Sequence, residues 1–135
     1  MSTDDERYAD GMRTRREVLG HEHVDRAQAA SDDFTGDFQE FITRYAWGTL
    51  WTREGIGRRE RSLITLALLA GLGREGELPL HVRGALNNGV TRDEIKEVFL
   101  HTAVYAGVPA ANTAFACARR TFDELADTAA VGNAE

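Results

Sequence analysis

Apolar residues along this chain recur at intervals of three and four, with little alternation of period two, so helices and not strands are expected. Thr3-Asp4-Asp5-Glu6 fits a capping box, in which the Thr hydroxyl and the Glu carboxylate satisfy each other's free amides. A helix from Asp4 to Leu19 follows, with Gly20 to stop it. A short helix is predicted over residues 24–30 and a loop over 31–36. Phe38, Phe41, Ile42 and Tyr45 put an apolar stripe on a third helix over residues 37–50, with a loop at 51–57. Residues 63–72 (LITLALLAGL) are apolar on nearly every side, as in a helix at the middle of a protein. A buried strand competes, but the length and the Leu and Ala content favour helix.

A fifth helix is predicted over residues 77–88, burying Leu78, Val82 and Ala85 and stopping at Gly89. Thr91-Arg92-Asp93-Glu94 is a second capping box. It opens a helix whose stripe is Ile95, Val98, Phe99, Thr102 and Ala106, ended by Gly107. Pro109 suits the first turn of a last helix, which carries Ala111, Ala114, Phe115, Ala118, Phe122 and Leu125 on one face. The tail after Asp127 is expected to fray. The sum is an all-α bundle of six to seven helices, one domain, with an ordered core over about residues 4–127. An apolar helix in so short a chain, with Phe- and Ala-rich neighbours, suggests that faces are also buried between subunits.

Composition narrows the function. A chain of 135 residues suits one core, and 42% apolar with 28% charged residues is ordinary for a soluble protein. No apolar run approaches the ~20 residues of a membrane span, and the acidic start (MSTDDERYADG) lacks the apolar region of a signal peptide. The one cysteine, Cys117, cannot form an internal disulfide, so a reducing cytoplasm is expected. A net charge of −6 argues against nucleic acid. Of the 16 basic residues only Lys96 is a lysine; the others are arginines, whose planar forks suit carboxylates. No metal is expected, because there is no His-x-x-x-His pair, no Cys pair and no acidic calcium loop. No serine sits in a nucleophile elbow, and the turn with Gly71, Gly73 and Gly76 lacks the lysine of a phosphate loop.

Four histidines remain for chemistry. His21 and His23 lie in a charged stretch and read as surface. His101 lies off its helix stripe, exposed or at a subunit contact. His81 differs: it sits three residues after Leu78 and four before Ala85, beside the buried face. Such a histidine is either a core residue satisfied by a backbone carbonyl or a group for acid–base work near neutral pH. Glu77, one turn earlier, shares its face. It can orient the imidazole, or simply favour the helix start as a carboxylate near the positive end of the dipole. Arg58, Arg59 and Arg61 lead into the apolar helix. Arg61 lies on the stripe of Ile64 and Leu68, where a buried cation is costly unless an anion or acceptor meets it. Arg83 lies off the buried face of its helix, toward solvent or a neighbouring subunit. Tyr45, Trp47 and Trp51 are either core or the apolar wall of a site.

Three segments, RYAWGTLWTREG (44–55), RSLITLALLAGLGREGELPLHVRGALNNGVTRDEIKEV (61–98) and YAGVPAANTAF (105–115), resemble the γ-carboxymuconolactone decarboxylases. Weaker similarity extends over nearly the whole chain. The wider superfamily includes the alkylhydroperoxidase AhpD proteins, all-helical and oligomeric, which carry a Cys-x-x-Cys pair before the equivalent histidine. Here those places hold Arg74 and Glu77, and the acidic residue that precedes their buried helix falls on Ser62. Dithiol peroxidase chemistry is therefore not expected. The resemblance implies an AhpD-like fold, dimer-built rings of hexamer type, and cofactor-independent decarboxylation of 4-carboxymuconolactone, a small dicarboxylate lactone of protocatechuate breakdown. It makes His81, tuned by Glu77, the candidate catalytic group. Arg61 and Arg83 are candidates to anchor carboxylate, with Ser62, Arg74, Tyr45, Trp47 and Trp51 as further candidates for the substrate site.

Overall fold

The computed structural model describes residues 3–134. Among them are seven α-helices, one π-helical segment and no strand. The order is α1 (Asp4–Leu19), α2 (His21–Ala30), α3 (Gly36–Ile42), the π-helical segment (Thr43–Leu50), α4 (Arg58–Gly71), α5 (Leu78–Asn87), α6 (Arg92–Tyr105) and α7 (Val108–Ala134). They group into two compact units, divided within α4 between Arg61 and Ser62.

In the first unit α1 has the expected bounds. The Thr3 hydroxyl accepts from the Glu6 amide at 3.1 Å, and Gly20 ends the helix with a positive φ of 93°. α2 begins at His21, three residues before its expected start, directly off that glycine. The predicted third helix is two structures. After α3 the backbone widens into the π-helical segment, where the Trp51 amide reaches back five residues to the Ala46 carbonyl at 3.0 Å. A wider turn changes which residues share a face. Thr43, Trp47, Gly48 and Trp51 are buried, whereas Phe38, Phe41 and Tyr45 of the expected stripe are exposed.

The close approach of α1 to the π-helical segment explains two glycines. A Cβ on Gly11 would overlap the Thr43 carbonyl, and one on Gly48 would overlap the Arg7 carbonyl. Beside this crossing lies Arg15, buried, donating to Gln39 Oε1 at 3.1 Å and more weakly to Thr43 Oγ1 at 3.5 Å. Burial lowers its pKa below the ordinary arginine value, and its Nε is enclosed without a hydrogen-bond acceptor.

The second unit is built on one apolar core: Leu66 and Ala70 of α4, Leu78, Val82 and Ala85 of α5, Ile95 and Phe99 of α6, and Ala114, Cys117 and Ala118 of α7. The expectation that α4 is buried all round is corrected. Ile64, Leu68 and Leu72 are 49%, 57% and 65% exposed, because the second unit covers only the Leu66 and Ala70 face. Gly73 and Gly89, both left-handed, close α4 and α5 with the paired bonds of a Schellman turn. Arg74 N–H donates to Leu69 O and Gly73 N–H to Ala70 O; Val90 N–H donates to Ala85 O and Gly89 N–H to Leu86 O. α6 opens on the expected capping box, with both Thr91–Glu94 bonds formed, at 2.9 and 3.1 Å. Ile95, Phe99 and Thr102 of its stripe are buried, and Ala106 at its end is exposed. The helical bounds of α7 run past the expected end to Ala134, in keeping with the alanines at 126, 129 and 130, the best helix formers.

Gly11→Ala should destabilise the protein by ~1–3 kcal/mol, the usual cost of forcing atoms into a packed contact, as measured by urea unfolding. An unchanged midpoint would show that the helix crossing has room to relax.

Candidate active site

The elements on either side of His81 set its place. The Schellman turn at Gly73 leads into a turn in which the Glu77 amide bonds back to Arg74 O at 3.1 Å. Glu77 is then the N-cap residue of α5, with Pro79 in the first turn. Leu78, Val82 and Ala85 face the core, as the spacing predicts, so His81 is held half-buried at the edge of that face. Its amide donates to the Glu77 carbonyl at 3.3 Å. The Glu77 side chain is exposed and makes no capping bond. Arg74 is exposed as well. This end of α5 presents backbone N–H groups and partial positive charge to any anion placed near it.

Two residues on from His81, Arg83 is half-buried and not simply turned to solvent. Its Nη2 donates to Glu124 Oε2 on α7 at 2.7 Å, tying α5 to α7, and its Nε is enclosed without an acceptor. The pair is open to solvent, most of all at Glu124, so it contributes little to stability. What it does is aim the guanidinium. Ser62 is buried at the other end of α5, where its hydroxyl accepts from the Asn88 amide group at 2.9 Å. Asn88 is the C-cap of α5, so Ser62 and Glu77 are separated by the helix length, about 15 Å at 1.5 Å per residue. The structure does not bring these two candidates together.

Arg61, Tyr45, Trp47 and Trp51 belong to the first unit. Arg61 is half-buried, and its amide bonds to Gly57 O at 3.0 Å. Trp47 and Trp51 are buried and stacked, with ring centroids 5.0 Å apart, as core aromatics are. Tyr45 is exposed against Phe41, centroids 4.8 Å apart. Of the other histidines, His21 is exposed and His23 half-buried. His101 is exposed and stacks on Tyr105 at 4.9 Å. Among the described residues no three His, Cys, Asp or Glu side chains cluster as a metal site requires.

Glu124 and Asn88 were not singled out by the sequence pattern. Glu124 lies 41 residues from Arg83, and no local spacing links them. Cys117 is buried with its thiol toward the Glu75 carbonyl, 3.9 Å away. Burial pushes its pKa up, against a smaller opposing pull from Arg120. That is the opposite of the lowered pKa of a reactive thiol.

Residues 36–120 match the carboxymuconolactone decarboxylase family, spanning α3 to the first half of α7 and parts of both units. The chain belongs to the carboxymuconolactone decarboxylase family. Similar proteins include the 4-carboxymuconolactone decarboxylase of Acinetobacter baylyi, 51% identical over 122 residues, 90% of this chain and 91% of that protein. The nitrosuccinic acid decarboxylase of Metarhizium robertsii is 45% identical over 120 residues, 89% of this chain and 84% of that protein. A 4-carboxymuconolactone decarboxylase of Pseudomonas putida is 56% identical over 43 residues, 90% of that sequence and 32% of this chain. The family match takes in every candidate residue named above, from Tyr45 to Arg83.

For this member of the carboxymuconolactone decarboxylase family, Cys117 should be alkylated by iodoacetamide at pH 8 at least about tenfold more slowly in the folded protein than in urea. Equal rates, followed by mass spectrometry, would show the thiol to be accessible and ionised.

Proposed function

We propose that the protein is a cofactor-independent carboxy-lyase that converts 4-carboxymuconolactone to the enol-lactone of 3-oxoadipate, the CO₂-releasing step of protocatechuate breakdown, in the cytoplasm. The observation that carries this reading is the 51% identity, over nine-tenths of both chains, with a protein of that activity.

The chemistry explains why no cofactor is required. The departing carboxylate is γ to the lactone carbonyl through a C=C bond. When its C–C bond breaks and CO₂ leaves, the electron pair flows to the carbonyl oxygen and leaves an aromatic furan-olate. A proton then adds to the ring carbon α to the carbonyl. The protein has to stabilise one oxyanion and deliver one proton. Placed donors and acids supply about 3 kcal/mol and ~10²–10⁴-fold respectively. His81, half-buried one turn into α5, is the proton donor in this scheme, with Glu77 beside it in sequence to tune it. Arg61 and Arg83 are the anchoring candidates, and Arg83 reaches substrate only by sharing its guanidinium with Glu124. An anchor on the leaving carboxylate would stabilise the ground state and slow reaction. The arginine therefore grips the acetate arm, and the leaving group faces apolar wall.

A second reading rests on the relative that acts on nitrosuccinic acid. That compound is also a dicarboxylate, and loss of its carboxyl beside the nitro group leaves a nitronate, again an oxyanion awaiting a proton. The same machinery serves either substrate.

A homo-oligomer, dimer-built and of hexamer type, belongs to the proposal. Ile64, Leu68 and Leu72 on α4, Leu100, Val104 and Tyr105 on α6, and Phe38 and Phe41 on α3 are exposed in the single chain, more apolar surface than monomers usually leave open. Light scattering should give a multiple of the 14.9 kDa chain mass, and a monomer would remove this part.

Added to 4-carboxymuconolactone without metal, the protein should abolish the lactone's absorbance and release CO₂. His81→Ala should lower kcat at least ~10²-fold, while Arg61→Gln should chiefly raise KM. Near-normal turnover by His81→Ala would end its catalytic role. No turnover by the unaltered protein would overturn the substrate and turn the test to nitrosuccinic acid.

A further inference from the structure

The second unit has a groove that none of the residues assigned above lines. It lies along α6 and α7, with a volume of about 510 Å³, in the range of small-molecule sites. Its floor is Ile95, Phe99 and Ala118, all buried. Its walls are aromatic: Phe115 meets Phe99 edge to face at 5.5 Å, and Phe122 stands opposite under the Arg92 guanidinium, 5.0 Å from the ring centroid. Helical spacing separates this groove from the α5 side of α7. Phe115, Arg119 and Phe122 turn toward it, whereas Cys117, Thr121 and Glu124 line a different groove beside Pro79.

The rim carries three cations, Arg92, Lys96 and Arg119, against one carboxylate, Asp93, in a chain whose net charge is −6. Lys96 is held loosely by Asp93 at 3.6 Å. Arg92 and Arg119, like Arg53, Arg74 and Arg120, form no ion pair with a carboxylate among the described residues, whereas Arg26, Arg58 and Arg83 each have one. Two arginines without acid partners, beside aromatic walls, are complementary to an anion with a flat apolar body. The recessed floor favours a small molecule over a second copy of the chain, whose natural seat is the flatter exposed face of α4 and α6.

We infer that this groove is a second binding site, specific for a monocyclic aromatic carboxylate. The ring packs edge to face against Phe115 and Phe122, and the carboxylate accepts charge-assisted hydrogen bonds from Arg92 and Arg119. The site is independent of the reaction assigned to His81 and needs neither Glu77 nor Arg83.

The test uses benzoate as probe and the intact protein, read by saturation-transfer NMR with titration for Kd. Benzoate should bind, and benzyl alcohol, of the same shape without charge, should bind at least about tenfold more weakly. Arg92→Gln with Arg119→Gln should weaken benzoate at least about tenfold, while Arg119→Lys should lose less. Both arginines are exposed, so the fold should persist, checked by circular dichroism. Should the double variant fail to fold, each single Gln variant should still weaken benzoate severalfold. His81→Ala and Arg26→Gln should leave the affinity unchanged. Equal binding of the two probes, undiminished affinity in the Gln variants, or loss of binding in His81→Ala would overturn the proposal. So would absent binding together with a change of oligomer mass in Arg119→Gln, which would make the groove a subunit contact.

Discussion

The packing of one short helix face sets where His81 and Arg83 stand. Leu78, Val82 and Ala85 of α5 are buried among Leu66, Ala70, Phe99 and Ala114, and each is 1% exposed or less. That burial sets the rotation of α5, because a close-packed interior admits few alternatives. Once the rotation is set, His81 falls at the edge of the core and Arg83 falls within reach of Glu124. The Schellman turns at Gly73 and Gly89 fix where the helix begins and ends. The chemistry assigned to α5 is therefore a consequence of packing three residues that take no part in it.

The second constraint is an excess of apolar surface. α4 has apolar residues on more faces than the second unit can cover, and α3 and α6 present exposed aromatic and aliphatic groups. Burying such surface is worth roughly 25 cal/mol per Å², so leaving it in water forgoes a large stabilisation. The proposed association of copies would recover it and would couple fold stability to assembly.

Charge is handled locally. Many arginines sit beside a carboxylate near them in the chain or across one helix contact, as with Arg7 and Asp4 or Arg58 and Glu17. Those at Arg15 and on the α6–α7 groove depart from this pattern in different ways. Arg15 is buried with neutral acceptors and anchors Gln39 and Thr43 at the helix crossing. Arg92 stacks on an aromatic ring. Cys117, the one thiol, is kept protonated by burial.

The helices themselves were legible along the chain. Thr3 and Thr91 capped where the pattern placed them, Gly20, Gly89 and Gly107 stopped their helices, and the α5 stripe was read correctly, because caps and stripes depend on residues within one or two turns. The candidate site was partly legible for the same reason: His81 is defined by its position relative to Leu78 and Ala85. The π-helical segment was not, since α-spacing predicts a face with Phe38, Phe41 and Tyr45, whereas the segment packs Gly48 against α1, a contact with residues far away in sequence. Nor were the partners of Arg83 and Ser62, which lie 41 and 26 residues away and answer to no local period. By itself the sequence determined the helical class, most helix ends, the face on which His81 sits and the family. The tertiary structure alone decided which apolar faces stay open, that Arg83 is held by Glu124, and that Cys117 is buried, because each depends on which distant helix packs alongside.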